Sequence, residues 1–164
     1  MKAIVYSSNT GHTEAYAKIL GEETGLPVYD LKSAIKGLGK GTEVICLGWL
    51  FANSVKGYKN CTKHFKVSAV CAVGLCDTGT AVAEVRKANK IPDNRPLFTM
   101  QGGMDKNKLK GGYRFGINML IKGMSSKKAP TEDDKRMLYL LTHDKNYVCV
   151  KNTEAFMEWY KACK

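Results

Sequence analysis

Apolar residues in this chain gather into short unbroken runs rather than alternating with polar ones. The runs are Ala3–Tyr6, Val28–Leu31, Glu43–Gly48 (EVICLG), Val67–Gly74 (VSAVCAVG) and Leu97–Met100. A strand that is apolar at every position is buried on both faces, which is the situation inside a parallel sheet. The segments between the runs carry helical spacing instead. Tyr16, Ile19 and Leu20 share one face of a helix that closes at Gly25. Val55, Tyr58 and Phe65 mark a helix near 54–65, and Val82 and Val85 another near 79–90. Strand and helix in alternation predict an α/β fold, an open doubly wound parallel sheet of five strands in the order 2-1-3-4-5 with helices on both faces. In such a sheet a ligand binds beyond the carboxyl ends of the strands where their order reverses, here between strands one and three.

After the fifth strand the pattern changes. Tyr113, Ile117, Leu120, Ile121 and Met124 recur at i, i+4, i+7, i+8 and i+11, the stripe of an amphipathic helix. Residues 101–130 carry Lys106, Lys108, Lys110, Arg114, Lys122, Lys127 and Lys128 against Asp105 alone, a net +6 of the chain's +11. This is a basic helical insertion, 106–128. Thr131 then caps a further helix with Glu132, Asp133 and Asp134 in its first turn and Met137, Leu138 and Leu141 along it. An extended stretch, Tyr147 to Val150, leads to a last helix that turns Phe156, Trp159 and Tyr160 to the sheet.

The 164 residues suit one domain, residues 1–164, of ordinary globular composition, 44% apolar and 25% charged. No run approaches the ~20 apolar residues that span a bilayer. Lys2 leads straight into the first core strand, so no signal peptide is expected and the cytoplasm is the expected compartment. Six cysteines stand singly, at 46, 61, 71, 76, 149 and 163, and read as buried free thiols, with Cys76 set apart by its place in a loop. The positive charge favours acidic partners, anionic lipid surfaces or polyanionic small molecules. The aromatic residues are not interleaved with the basic ones, and nucleic acid is not expected as a partner. His12, His64 and His143 form no acid–base triad, and neither paired carboxylates nor a metal-ligand cluster stands out.

The turn between the first strand and the first helix reads Ser8-Asn9-Thr10-Gly11-His12-Thr13. Backbone N–H groups of Asn9, Gly11, His12 and Thr13 at a helix start lack intrahelical acceptors. A phosphate takes such donors and gains from the helix dipole, and the hydroxyls of Ser8, Thr10 and Thr13 add neutral donors. Gly11 stands alone, so there is no G-x-G-x-x-G for a dinucleotide and no Gly-Lys-Ser/Thr for a nucleoside triphosphate. A phosphomonoester fits best.

The loop resembles the phosphate loop, S/T-x-T-G-x-T/S, of the flavodoxin-like family, which binds flavin mononucleotide (FMN). With Gly102-Gly103-Met104-Asp105, the basic insertion and the Thr131-Glu132-Asp133 helix start, it is similar to a short flavodoxin-domain branch that includes menaquinone-dependent protoporphyrinogen oxidases. The resemblance implies an FMN cofactor held by Ser8 through Thr13. It also implies a ring lying along the loop after strand three, Gly48, Trp49, Leu50, Phe51, Ala52 and Asn53, with one of the two aromatics stacked on the flavin. The loop after strand four, Gly74, Leu75, Cys76 and Asp77, forms the third wall, with Asp77 as an alternative helix cap. The expected function is electron transfer between cytoplasmic partners, a redox partner protein or an anionic small molecule. An FMN-dependent oxidoreductase acting on a porphyrinogen or a quinone is the alternative, and a flavin-free interaction module the second. A peripheral membrane contact through 106–128 is a further expectation.

Overall fold

Strands β1 (Ala3–Ser7), β2 (Val28–Asp30), β3 (Glu43–Phe51), β5 (Lys66–Gly74) and β6 (Leu97–Gln101) lie parallel in the computed structural model, which describes residues 1–109 and 111–164. The sheet runs β2-β1-β3-β5-β6, and a two-residue strand, β4 (Ser54–Val55), pairs antiparallel with β3. The expectation of five strands is therefore corrected to six in this sheet. β3 continues through Trp49, Leu50 and Phe51, which were expected in an exposed turn, and then folds back on itself. Ala52 and Asn53 make that turn at φ 47° and 61°, the left-handed pair of a two-residue hairpin. Asn89 fixes it by donating to the Asn53 carbonyl at 2.7 Å and accepting from the Val55 N–H at 2.8 Å.

Helices cover both faces because the strands alternate their side chains between two apolar layers. Val44, Cys46 and Val70 meet α2 (Leu31–Gly37), α3 (Tyr58–His64) and α4 (Val82–Asn89) through Ala34, Cys61 and Val85. Ile4, Ile45 and Cys71 face α1 (His12–Thr24) and the last helix, α7 (Glu154–Ala162), through Tyr16, Leu20 and Phe156. α2 was not expected: Leu31 was read as strand, yet Asp30 accepts from the N–H groups of Lys32 and Ser33 and starts a helix there. Residues 147–149 pair in no strand; Cys149 is extended, in keeping with the stretch expected from Tyr147 to Val150, while Val150 already starts a 3-10 turn, Val150–Thr153. The pairing lies just before that stretch, where β8 (Lys145–Asn146) joins β7 (Gly103–Met104). That ribbon is the neck of the insertion, and α5 (Tyr113–Ser125) and α6 (Glu132–Thr142) pack together beyond it. Thr131 and Asp134 close a reciprocal capping box at the start of α6. Among the described residues no helix is long and apolar enough to cross a membrane.

One half-buried polar knot ties these parts together. The Tyr16 hydroxyl donates to the Gln101 carbonyl at 2.5 Å and accepts from Asn152 Nδ2 at 2.7 Å. Tyr16→Phe removes the donor and leaves the carbonyl with the longer Asn152 contact at 3.3 Å. Urea unfolding should register a loss of about 1–2 kcal/mol.

Candidate functional site

A cavity of about 610 Å³ opens at the carboxyl ends of the parallel strands, within the range of small-molecule sites. Five pieces of chain wall it: the turn into α1, the end of β3 with its hairpin, the loop after β5, the end of β6 with β7, and the α5–α6 pair. Asn9, Thr10, His12, Thr13, Trp49, Leu50, Phe51, Ala52, Asn53, Gly74, Leu75, Cys76 and Asp77, all chosen from the sequence, line it. Ser8 faces a neighbouring groove. The space above Gly48 is filled by β4, since a Cβ there would come within 2.5 Å of the Lys56 carbonyl and of Val55 Cγ1.

The turn into α1 is organised by its own side chains. Gly11 takes φ 99° as the N-cap, a conformation open to glycine at little cost. Its N–H donates to Ser8 Oγ at 3.1 Å, so this N–H is engaged within the loop. Thr10 Oγ1 lies 3.0 Å from His12 Nδ1. The N–H groups of His12 and Thr13 stand in the first turn, ahead of the first intrahelical bond from Ala15 N–H to the Gly11 carbonyl. Thr13 is 1% exposed and forms part of the cavity floor.

His12 is held below the usual histidine range. Burial is the main cause, Asp105 opposes it, and Lys108 adds to it. The imidazole is thus neutral in the fold, while the unfolded chain takes up its proton near pH ~6.5. Stability must then fall as pH drops below that value and level off once the folded group titrates as well. The drop in melting temperature from about pH 7.5 to about 5.5 should be smaller in His12→Gln than in the parent protein.

Trp49 and Phe51 project from the same face of β3, and Tyr113 of α5 sits edge-on to both, with ring centroids 4.7 and 5.2 Å away. Leu50 points to the other face, against Gly74. The loop after β5 is pinned by Gln101, whose Nε2 donates to the Leu75 carbonyl at 3.1 Å and whose N–H reaches Thr78 Oγ1 at 2.9 Å. Asp77 is not a helix cap: Ala81 occupies that position in α4. Its carboxylate instead takes Arg136 of α6 on both oxygens, at 2.5 and 2.6 Å, and closes the insertion over the cavity.

Cys76 is exposed at this wall as a residue, but neighbouring atoms partly desolvate its thiol and raise it, with Asp77 adding to the rise. A raised thiol is a poor nucleophile. Cys46, Cys61 and Cys71 are buried as expected, whereas Cys149 and Cys163 are exposed and correct the reading of buried thiols throughout. Among the described residues no group of three or more metal-ligand side chains comes together.

The roof is the part that the sequence did not assign to the site. Met104, Met119, Leu120, Met124, Met137 and Leu141 line the cavity from β7, α5 and α6. The helical spacing of Leu120, Met124, Met137 and Leu141 was legible, but not that part of each stripe faces a hollow rather than packed core. Lys110, counted among the basic residues of the insertion, lies outside the described residues. No family model, curated protein or solved structure matches the chain.

Proposed function

We propose that this chain is a flavodoxin-like, FMN-binding redox protein. The reading rests on one observation: a single cavity joins the hydroxyl-rich turn at α1, the aromatic end of β3 and the loop after β5. The cavity extends from the turn after β1 past the end of β3 to the ends of β5 and β6, so one end of it adjoins the β1–β3 position at which the order of the parallel strands reverses. With the short β4 set aside, that order has the pattern of the flavodoxin-like doubly wound sheet. The residues suit the group. Neutral donors stand at the α1 end, and the carboxylate nearest the cavity, Asp77, is neutralised by Arg136. The flavin supplies the electron chemistry when bound; the protein orients it, shields it from water and sets its electrostatic surroundings. Purified protein should absorb at roughly 370 and 450 nm, as a bound flavin does. Protein that stays colourless when FMN is added contradicts the assignment and selects the flavin-free interaction module instead.

Carriage of electrons between cytoplasmic partners is the simplest use of such a site. The methionine-rich roof supports the second reading, an oxidoreductase. It extends the cavity beyond the walls assigned to a flavin and offers apolar space beside the ring for a quinone or porphyrinogen. Turnover of either compound by flavin-loaded protein separates the enzyme from the carrier.

The insertion also presents apolar groups to solvent. Phe115, Met119 and Leu120 are 71%, 58% and 47% exposed on α5, with Arg114 and Lys122 on the same helix. Apolar side chains beside cations match an anionic lipid surface. Phe115→Ser/Met119→Ser should lower co-sedimentation with vesicles rich in anionic lipid by about tenfold or more, equivalent to at least about 1.4 kcal/mol. Neutral vesicles should retain little of either protein.

A further inference from the structure

Across Asn9 and Trp49 from the cavity lies a second groove, of about 820 Å³, which shares Ser8, Asn9 and Trp49 with the flavin assignment and whose other walls that assignment leaves unused. It runs over the ends of β1 and β2 toward the starts of α3 and α5. Its wall residues differ in chemistry from those of the methionine-roofed cavity. Trp49, Tyr6 and Tyr113 supply ring surfaces, Lys32 and Lys56 supply cations, and Ser7 and Ser8 supply hydroxyls. Asp30 stands at the carboxyl end of β2 and lines the groove.

We propose that this groove binds an adenosine 5′-phosphate moiety. A carboxylate at the end of the second strand of a parallel α/β sheet is placed to accept from ribose hydroxyls. Asp30 accepts two backbone N–H bonds on Oδ1 and a further side-chain bond from Ser33, and a carboxylate's two oxygens offer about four acceptor positions, so capacity for a ribose hydroxyl remains. Trp49 and Tyr113 give a flat base something to stack on. The phosphate fits where β1 ends. Gly57 backs directly onto Ser7, a Cβ there falling 2.5 Å from Ser7 Cβ, and the neighbouring Lys56 is a cation of the same groove, its ammonium 5.5 and 5.7 Å from the Phe51 and Tyr113 ring centroids. The lone Gly11 argues only against a pyrophosphate seated on the N-terminus of α1, and this phosphate site is beside that helix.

Two molecules carry the moiety: the adenylate half of FAD, attached to the flavin next door, and a nicotinamide dinucleotide electron donor. Both sources build on the flavin reading; the groove itself does not. Adenosine monophosphate (AMP) is therefore titrated first into flavin-free protein and followed by calorimetry. Binding that weakens about tenfold or more in Asp30→Ser supports the assignment, since serine keeps the helix cap while removing the carboxylate. Lys56→Gln should weaken AMP in the same way. AMP that does not bind, or that binds both variants as well as the parent protein, overturns it. If AMP binds, FAD held at least tenfold more tightly than FMN identifies the first source. Equal FAD and FMN affinity, with NADH or NADPH displacing AMP from the FMN-loaded protein, identifies the second. If neither flavin binds, the proposed function fails while the AMP titration still decides the groove.

Discussion

Valine at both Thr10 and Thr13 should weaken FMN binding by about 10²-fold or more. Each hydroxyl is assigned a hydrogen bond to a charged phosphate, worth about 1.5–3 kcal/mol. Losing two removes about 3–6 kcal/mol, or roughly 10²- to 10⁴-fold in affinity. Valine keeps the branched shape of threonine, and Thr13 is already buried at 1% exposure, so packing should change little. The loss of the Thr10 to His12 contact is a smaller, local effect. Quenching of flavin fluorescence gives the affinity, and an unchanged melting temperature shows that the fold has survived. Undiminished affinity in the double variant would put the phosphate elsewhere.

Gly48→Ala is expected to be among the most damaging single changes to stability. The added methyl meets the Lys56 backbone carbonyl and Val55 Cγ1, both at 2.5 Å, and the carbonyl is held on the far strand of the β3–β4 hairpin. Lys56 N–H also bonds to the Trp49 carbonyl at 2.9 Å, so the strand cannot step back without breaking that bond. Overpacking of this kind costs about 1–3 kcal/mol or more. Because the hairpin carries Ala52 and Asn53 into the cavity wall, flavin affinity should fall together with the denaturation midpoint. A variant as stable as the parent protein would mean that the hairpin yields freely.

The local parts of the site were legible in the sequence because local chemistry fixes them. Gly25 ends α1 in the left-handed conformation, and Thr131 starts α6 with its capping box. The buried runs at Ala3, Glu43, Val67 and Leu97 read as strands because they are short and mostly rich in β-branched or aromatic residues, as strands covered on both faces are. The β3–β4 hairpin escaped notice because Ala52-Asn53 lacks the Asn-Gly or Asp-Gly signature of its turn. It is held instead by Asn89, 36 residues away in sequence. The Asp77–Arg136 pair, separated by 59 residues, has no local signal at all. The roof went unassigned for a related reason: periodicity says which side of a helix is apolar, and not whether that side meets atoms or space. Met119 and Leu120 do both jobs at once, lining the cavity while remaining partly exposed.

Comparison of FMN with riboflavin tests the central claim most directly, because the two ligands differ only by the phosphate. Flavin-free protein titrated with each should bind FMN about 10²-fold more tightly or better, with the preference reduced in Thr10→Val/Thr13→Val. Equal affinities for the two, or no affinity for either, would contradict a phosphate-gripping turn at the start of α1.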